Sequence, residues 1–356
     1  MNKLNPRQSE AVRYADGPML VLAGAGSGKT SVITRKIAYL IEQLGIPGRH
    51  IAAVTFTNKA AREMKERVGR IVDRKLTRGL IVSTFHNLGL NMIREEHTHL
   101  GYLPGFSIFD AEDAKALLQD LMLREASAEA GDELNDIQMT ISSWKNAMRG
   151  PAEALSKAAD EREQRIAIIY KKYNEYLKAY NAVDFDDLIL LPVMLFRSNP
   201  DVLAKWRRKI RYMLVDEYQD TNVCQYELVK QLVAERAAFT VVGDDDQSIY
   251  AWRGARPENL AQLKEDFPSL KIVKLEQNYR STARILRSAN TVIANNPHVF
   301  EKALWSDHTI GEEIRIVRCR NEDAETDRVA TEILDQKLKK GLDFRDFAVL
   351  YRGNHQ

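Results

Sequence analysis

Met19-Leu20-Val21-Leu22-Ala23-Gly24-Ala25-Gly26-Ser27-Gly28-Lys29-Thr30 runs from an apolar segment through small residues and opens onto Val32-Ile33-Thr34-Arg35-Lys36-Ile37-Ala38. This order predicts a buried strand that turns tightly into a helix. Small residues at such a turn let backbone N–H groups approach phosphate oxygens, and the helix N-terminus adds a favourable dipole. Lys29 then reaches the β- and γ-phosphates of a nucleotide, and the Thr30 hydroxyl is placed to hold Mg²⁺. The strict pattern asks for glycine at Ala23, and taken alone the stretch also reads as a plain glycine-rich turn between strand and helix. A second stretch narrows the choice. Tyr212-Met213-Leu214-Val215 is a short apolar run that ends in Asp216-Glu217-Tyr218-Gln219-Asp220. The carboxyl end of a strand is where Mg²⁺ is held in this class of site, which assigns Asp216 to the metal and Glu217 to accepting a proton from the attacking water. An acidic strand end is often only a solvated cap. Paired with the phosphate loop, it points to a nucleoside triphosphate.

The chain has 356 residues, 44% of them hydrophobic, enough to bury two or three cores in about two domains. No stretch of ~18 apolar residues is present, and Met1-Asn2-Lys3-Leu4-Asn5-Pro6 lacks the apolar core of a secretory signal, so a soluble, cytoplasmic protein with no membrane partner is expected. Cys224 and Cys319 match no zinc or cluster spacing and are expected to be reduced thiols. The 52 basic and 50 acidic side chains nearly cancel, so only local crowding is informative. Lys59, Arg62, Lys65, Arg67, Arg70, Arg74, Lys75 and Arg78 crowd one segment, and Lys205, Arg207, Arg208, Lys209 and Arg211 another. Either is a solvated face or a contact for a phosphate backbone.

Runs resembling buried parallel strands recur at 19–22, 51–56, 80–84, 212–215, 239–242 and 271–275, with helical patterns between several of them. That alternation predicts a doubly wound α/β sheet. Ala60, Ala61, Met64, Val68, Ile71 and Val72 fall at helical spacing after Thr57-Asn58, which can cap the helix, and its opposite face is basic. From about 89 to 183 strand-like runs vanish and helices take over, with Gly150-Pro151 marking a start near Ala152, which predicts a helical insertion. The sheet resumes after Asp184-Phe185-Asp186-Asp187-Leu188. Beyond Gln277 come a helical pattern at 282–294 and strand-like runs at 314–318 and 347–351, the last directly before the final residues, the pattern of a truncated chain.

Gly243-Asp244-Asp245-Asp246-Gln247-Ser248-Ile249-Tyr250-Ala251-Trp252-Arg253-Gly254 opens at another strand end and closes on aromatics. Gln247 is placed to touch a γ-phosphate or its attacking water, while Tyr250 and Trp252, with Arg253 and Arg256 beside them, either stack on bases or pack internally. One loop would then feel both ligands.

These motifs, together with Asn5-Pro6-Arg7-Gln8, Val54-Thr55-Phe56-Thr57-Asn58-Lys59-Ala60-Ala61, Ser83-Thr84-Phe85-His86 and Gln277-Asn278-Tyr279-Arg280-Ser281, stand in an order that resembles the superfamily 1 DNA helicases of the Rep/UvrD/PcrA group, above all their Rep branch. The matches span nearly the whole chain, which resembles the amino-terminal half only of such a helicase. The resemblance implies a RecA-like doubly wound parallel sheet (1–88 and 184–276) interrupted by a helical insertion (89–183), with the beginning of a second RecA-like domain (277–356). It implies ATP and Mg²⁺ as cofactors and single-stranded DNA as partner. By this likeness Gln8, Ala25, Gly26, Ser27, Gly28, Lys29, Thr30, Arg35 and Tyr279 bind ATP, with Gln8 reading the adenine edge and Tyr279 stacking on the base. Lys29, Asp216, Glu217, Gln247 and Arg280 serve catalysis, Arg280 by reaching the γ-phosphate. Phe56, Thr57, Asn58, His86, Tyr250, Trp252 and Arg253 contact the strand. Plainer readings remain for several of these: Gln8 as a surface residue of a helix start, Arg280 as the partner of a neighbouring carboxylate, Phe56 and His86 as core or loop residues.

The implied function is ATP-driven movement along DNA, 3′ to 5′, in replication or repair, with replication-fork proteins as candidate partners. The sequence leaves the oligomeric state open. The family's later motifs, including an arginine whose loss costs ~10³–10⁵ in rate, are expected beyond Gln356, so this chain is expected to bind ATP and hydrolyse it poorly. The competing reading is a nucleotide-gated single-strand binding module without motor activity. An RNA-directed motor is a further alternative, separable by comparing stimulation by single-stranded DNA and RNA.

Overall fold

The computed structural model describes residues 4–124, 132–298 and 300–351. They form two compact units, Met1–Thr309 and Ile310–Gln356. The first unit opens with α1 (Pro6–Arg13), β1 (Met19–Ala23), α2 (Lys29–Glu42), β2 (Ile51–Thr55), α3 (Asn58–Gly69) and β3 (Ile81–Thr84). A mainly helical stretch follows: α4 (Phe85–Glu96), β4 (Ser107–Phe109), α5 (Ala111–Arg124), α6 (Asp132–Asn146), α7 (Pro151–Ser156), α8 (Glu161–Ala179), β5 (Ala182–Asp184), α9 (Asp187–Ser198) and α10 (Pro200–Lys209). The chain then returns through β6 (Tyr212–Val215), α11 (Val223–Val233), β7 (Phe239–Gly243), α12 (Asn259–Asp266), β8 (Lys271–Leu275) and α13 (Ala283–Ile293).

Six strands pair in the order β3-β2-β6-β7-β1-β8, all parallel. Every residue of β1, β2, β6 and β7 is buried, as expected of unbroken apolar runs covered on both faces. Side chains alternate between those faces. Leu20, Leu22, Val54, Met213, Val215 and Val241 join one core with Leu88, Ile189, Val193, Trp206 and Val229 of the helices on that side. Met19, Val21, Ala53, Leu214 and Val242 join the other, with Val32, Ile33 and Ile37 of α2 and Met64 and Val68 of α3. The helix read from Ala60 to Val72 is thus α3, capped by the Thr57 hydroxyl, which accepts from Ala60 N at 3.1 Å, and its basic face is exposed. This is the RecA-like, doubly wound sheet.

A third core, built from Leu118, Leu121, Ile137, Ile141, Ile166 and Tyr170, lies within α5–α8. The run from 89 to 183 is not purely helical, however. Ser107–Phe109 pairs in parallel with Ala182–Asp184 as a two-stranded ribbon, too short to leave an alternating pattern in the sequence. The ribbon's second strand leads into a buried charge cluster. Lys145 Nζ of α6, in a residue 0% exposed, donates to Asp184 Oδ2 and Asp187 Oδ1, both at 2.7 Å, and Tyr173 Oη donates to the same Asp184 oxygen at 3.0 Å.

The second unit contains α14 (Glu322–Lys340), capped by Asn321, whose Oδ1 accepts from Ala324 N at 3.0 Å. The strand-like runs expected at 314–318 and 347–351 are not strands: the described residues there have no ladder partners, and Ile316 and Leu350 are exposed. A β-branched run specifies a strand only where a neighbour satisfies its backbone. Cys224 is buried and Cys319 exposed, and both are free thiols. No described helix is long and apolar enough to cross a membrane.

Replacing Lys145 by Met leaves Asp184 and Asp187 buried around no cation. The expected loss is about 3–5 kcal/mol, read as a lowered midpoint in denaturant unfolding, and an unchanged midpoint would show that the ammonium contributes nothing to stability.

Candidate functional site

The loop between β1 and α2 is shaped by two left-handed glycines, Gly26 (φ 71°) and Gly28 (φ 88°), the second preceding the first helical residue, Lys29. A side chain here would also crowd its neighbours. A Cβ on Gly26 would lie 2.6 Å from Asn278 Nδ2 and 2.9 Å from Arg280 Cβ, and one on Gly28 would lie 2.8 Å from Gln8 Nε2. The loop's carbonyls are held from outside: Gln8 Nε2 donates to Ser27 O at 2.8 Å, Asn278 Nδ2 to Ala25 O at 2.6 Å, and Tyr279 N to Gly26 O at 2.9 Å. Gln8 is buried, not a surface residue, and its Oε1 also accepts from Asn5 N at 3.1 Å to cap α1. Tyr279 stays half exposed, its hydroxyl accepting from Asn5 Nδ2 and donating to Gln277 Oε1, both at 2.8 Å. Arg280 is exposed at the loop's rim, and Arg35 lies partly buried on α2.

Lys29 Nζ donates to Glu217 Oε2 at 2.8 Å and to Gln247 Oε1 at 3.1 Å. Three strand ends thereby meet, because β7 lies between β1 and β6 and its following turn brings Gln247 to the lysine. Glu217 takes a left-handed backbone (φ 50°), a strained state for a non-glycine residue that here aims its carboxylate at Lys29. Gln219 Nε2 donates to the same Glu217 oxygen at 2.9 Å, while Gln219 Oε1 accepts from Asp244 N at 3.0 Å. Asp216, 7% exposed at the end of β6, has its carboxyl pushed up to about 6, first by burial and then by the neighbouring Glu217, with Lys29 opposing. Burial and Glu217 also push Asp220 up to about 6.

The donor set fits a bound cation and polyphosphate. Asp216, Glu217 and Asp220 crowd one ammonium, and the buried Ser27 Oγ and Asp220 Oδ1 lack a hydrogen-bond partner among the described residues. A phosphate oxygen and a metal would complete them. Thr30 follows Lys29 at the start of α2, one turn below Thr34, whose hydroxyl donates to Thr30 O at 2.8 Å.

The residues assigned to a strand occupy the same edge of the sheet. Phe56, at the end of β2, packs edge-on against Phe85 with centroids 5.4 Å apart, and is partly buried. Thr57 and Asn58 are exposed, and Asn58 Oδ1 accepts from Asn87 Nδ2 at 3.2 Å. His86, next after Phe85 at the start of α4, is partly buried, which lowers its pKa, and lies 5.9 Å from the exposed ring of Phe185. Phe185 was hidden in the sequence among the acidic residues around it. Tyr250 and Trp252 are not core residues: Trp252 is 69% exposed, with its ring 6.4 Å from that of Tyr250. The side chain of Arg253 lies outside those described. Of the two basic segments, the one on and after α3 is exposed, whereas Lys205 and Lys209 are paired with Glu95 and Arg207 with Glu235, so the second is partly neutralised.

Residues 4–268 match the UvrD/REP helicase N-terminal domain. The chain belongs to this helicase family. Residues 273–356 match the UvrD-like helicase C-terminal domain, so the reading as an amino-terminal half alone does not hold. Over 355 residues the chain is 56% identical to ATP-dependent DNA helicase Rep of Escherichia coli K12, covering 99% of this chain and 52% of that protein. It is 42% identical over 356 residues to ATP-dependent DNA helicase PcrA of Staphylococcus aureus Mu50, covering 100% of this chain and 48% of that one. The chain thus spans about half the length of the curated relatives it matches. Among solved structures, Pif1 helicase from Candida albicans aligns over 83% of this chain and 46% of its own at a TM-score of 0.37 and 11% identity, a likeness too slight to inform the fold.

The raised Asp216 value has a consequence for stability. Its folded pKa of about 6 lies above the ordinary carboxylate value of 3.8, so without a bound cation the folded state loses stability as pH rises from about 4 to about 6. Asp216→Asn removes that cost and is expected to stabilise the nucleotide-free protein at pH 7 by about 2–3 kcal/mol while abolishing stabilisation by Mg²⁺ with nucleotide. Thermal unfolding at pH 5 and pH 7 measures both.

Proposed function

We propose that this chain is the nucleotide-binding core, with the start of the second domain, of an ATP-driven translocase and helicase acting on single-stranded DNA. The observation that supports it best is the contact of Lys29 with both Glu217 and Gln247, because Gln247 sits on the turn that runs on to the exposed Tyr250 and Trp252. A change at the γ-phosphate position thus has a short path to a surface suited to stacking on bases. In this reading Gly24–Thr30 cradle the phosphates, Gln8 and Tyr279 flank the base, and Arg35 and Arg280 add positive charge. Thr30 and Asp216 would hold Mg²⁺, which would supply positive charge to the phosphates. Glu217 accepts the proton of the attacking water, and Gln247 orients that water against the γ-phosphate. Phe56, Thr57, Asn58, His86, Tyr250, Trp252 and Arg253 contact the strand, and the exposed Phe185 ring extends that surface.

The proposed domains are 1–88 with 184–276, the helical insertion 89–183, and 277–356. Movement 3′ to 5′, service in replication or repair beside replication-fork proteins, and a cytoplasmic location rest on likeness to Rep and PcrA. The exposed Trp252 on the same turn as Gln247 also suits a second reading, a nucleotide-gated strand-binding module without a motor. ATP turnover with and without single-stranded DNA separates the two. For a motor, Glu217→Gln lowers strand-stimulated turnover by roughly 10²–10⁴ with ATP affinity kept; strand binding that responds to ATP with no turnover to lose favours the module. Trp252→Ala is expected to weaken binding of a thymidine oligonucleotide by roughly 5- to 150-fold in fluorescence titration, the worth of one stacked base. Unaltered affinity would place the strand elsewhere.

A further inference from the structure

Asp244, Asp245 and Asp246 follow β7 as three consecutive carboxylates, and Lys302 Nζ lies 2.6, 2.5 and 2.7 Å from an oxygen of each. The Lys302 side chain is 5% exposed, so this ammonium is committed to the turn rather than to solvent. Burial alone would lower its pKa, yet the aspartates outweigh that and raise it. Two neighbours reinforce the contact. His298 Nδ1 lies 3.2 Å from Asp246 Oδ1, and Phe300 N donates to Asp245 Oδ2 at 3.4 Å.

The two oxygens of Asp244 have different partners. Oδ1 is taken by Lys302, and Oδ2 accepts from Gln247 Nε2. A glutamine whose NH₂ is held on one side presents its carbonyl to the other, and Gln247 Oε1 indeed accepts from Lys29. A continuous polar path therefore runs from Lys302 through Asp244, Gln247 and Lys29 to Glu217. Without the ammonium, three adjacent carboxylates repel one another, and only the Asp246 backbone N–H, which donates to Asp244 Oδ1 at 3.3 Å, is left to set which Asp244 oxygen faces the glutamine.

We propose that Lys302 is a positioning residue that, by binding Asp244, Asp245 and Asp246 together, sets the amide of Gln247 toward Lys29 and so couples nucleotide occupancy to the Tyr250–Trp252 surface. This rests on the nucleotide-and-strand reading above. The sequence does not advertise the lysine, because Lys302 lies far along the chain from the turn it holds and in no motif that resembles a phosphate or strand contact.

The test is a coupling measurement on the whole chain. The affinity for a fluorescent thymidine oligonucleotide is measured with and without a non-hydrolysable ATP analogue plus Mg²⁺, for wild type, Lys302→Met and Lys302→Arg. Wild type is expected to shift by roughly 5-fold or more, the usual scale of coupling between two sites. Lys302→Met is expected to bind each ligand alone yet shift by less than about 2-fold, and Lys302→Arg, which keeps the charge, to recover most of the shift. If Lys302→Met does not fold, Lys302→Met with Asp245→Asn removes charge in balance, and it too is expected to lose the shift. A wild-type shift retained in the folded variant lacking Lys302 overturns the role of Lys302 and leaves the function standing. A wild type that binds neither ligand overturns the nucleotide-and-strand reading, and the inference with it.

Discussion

One ammonium, Lys29, faces a concentration of negative charge that it does not balance. Asp216, Glu217 and Asp220 come off one strand end and Asp244 off the next, and burial has raised the Asp216 and Asp220 carboxyls to about 6. Such a site is costly when empty and suited to a divalent cation carrying phosphates. The rest of the first unit can be understood as the scaffold that holds this imbalance in place. Only a parallel sheet delivers the ends of β1, β6 and β7 to one edge, and only glycines at the two left-handed positions let the intervening backbone turn so closely.

The same edge explains why the residues proposed for nucleotide and those proposed for a strand are neighbours without being mixed. β6, β7 and β1 occupy the middle of the sheet and carry the charged residues, whereas β2 and β3 lie to one side and present Phe56, Thr57, Asn58 and His86. The turn after β7 joins the two groups, with Gln247 inside the charged site and Trp252 at the surface. Electrostatic contacts hold that turn, since Lys302 ties the three aspartates together.

The sheet and the glycine loop before α2 were legible in the sequence because each depends on local chemistry: apolar runs of strand length, small residues before a lysine, a threonine cap before an amphipathic helix. β4 and β5 were not legible, since three residues leave no period to read. The expected strands at 314–318 and 347–351 failed for the opposite reason, a strand-like composition with no ladder partner among the described residues. Residues whose importance is purely spatial were invisible as well. Lys145, Phe185, Asn278 and Lys302 stand at unremarkable positions in the chain and acquire meaning only from what folds against them. Conversely, the basic run around Lys205 looked like a free cationic face until Glu95 and Glu235 were found beside it.

The strand order carries a kinetic implication. β1 is made early in synthesis, yet both its neighbours, β7 and β8, lie beyond residue 238, and β2 must wait for Tyr212–Val215 to gain its inner partner. Only β2 and β3 can associate promptly. A nascent chain therefore exposes fully apolar strands through the making of more than two hundred residues, while the compact α5–α8 cluster can collapse on local contacts. Slow assembly of the sheet and a need for protection from aggregation during translation are built into its topology.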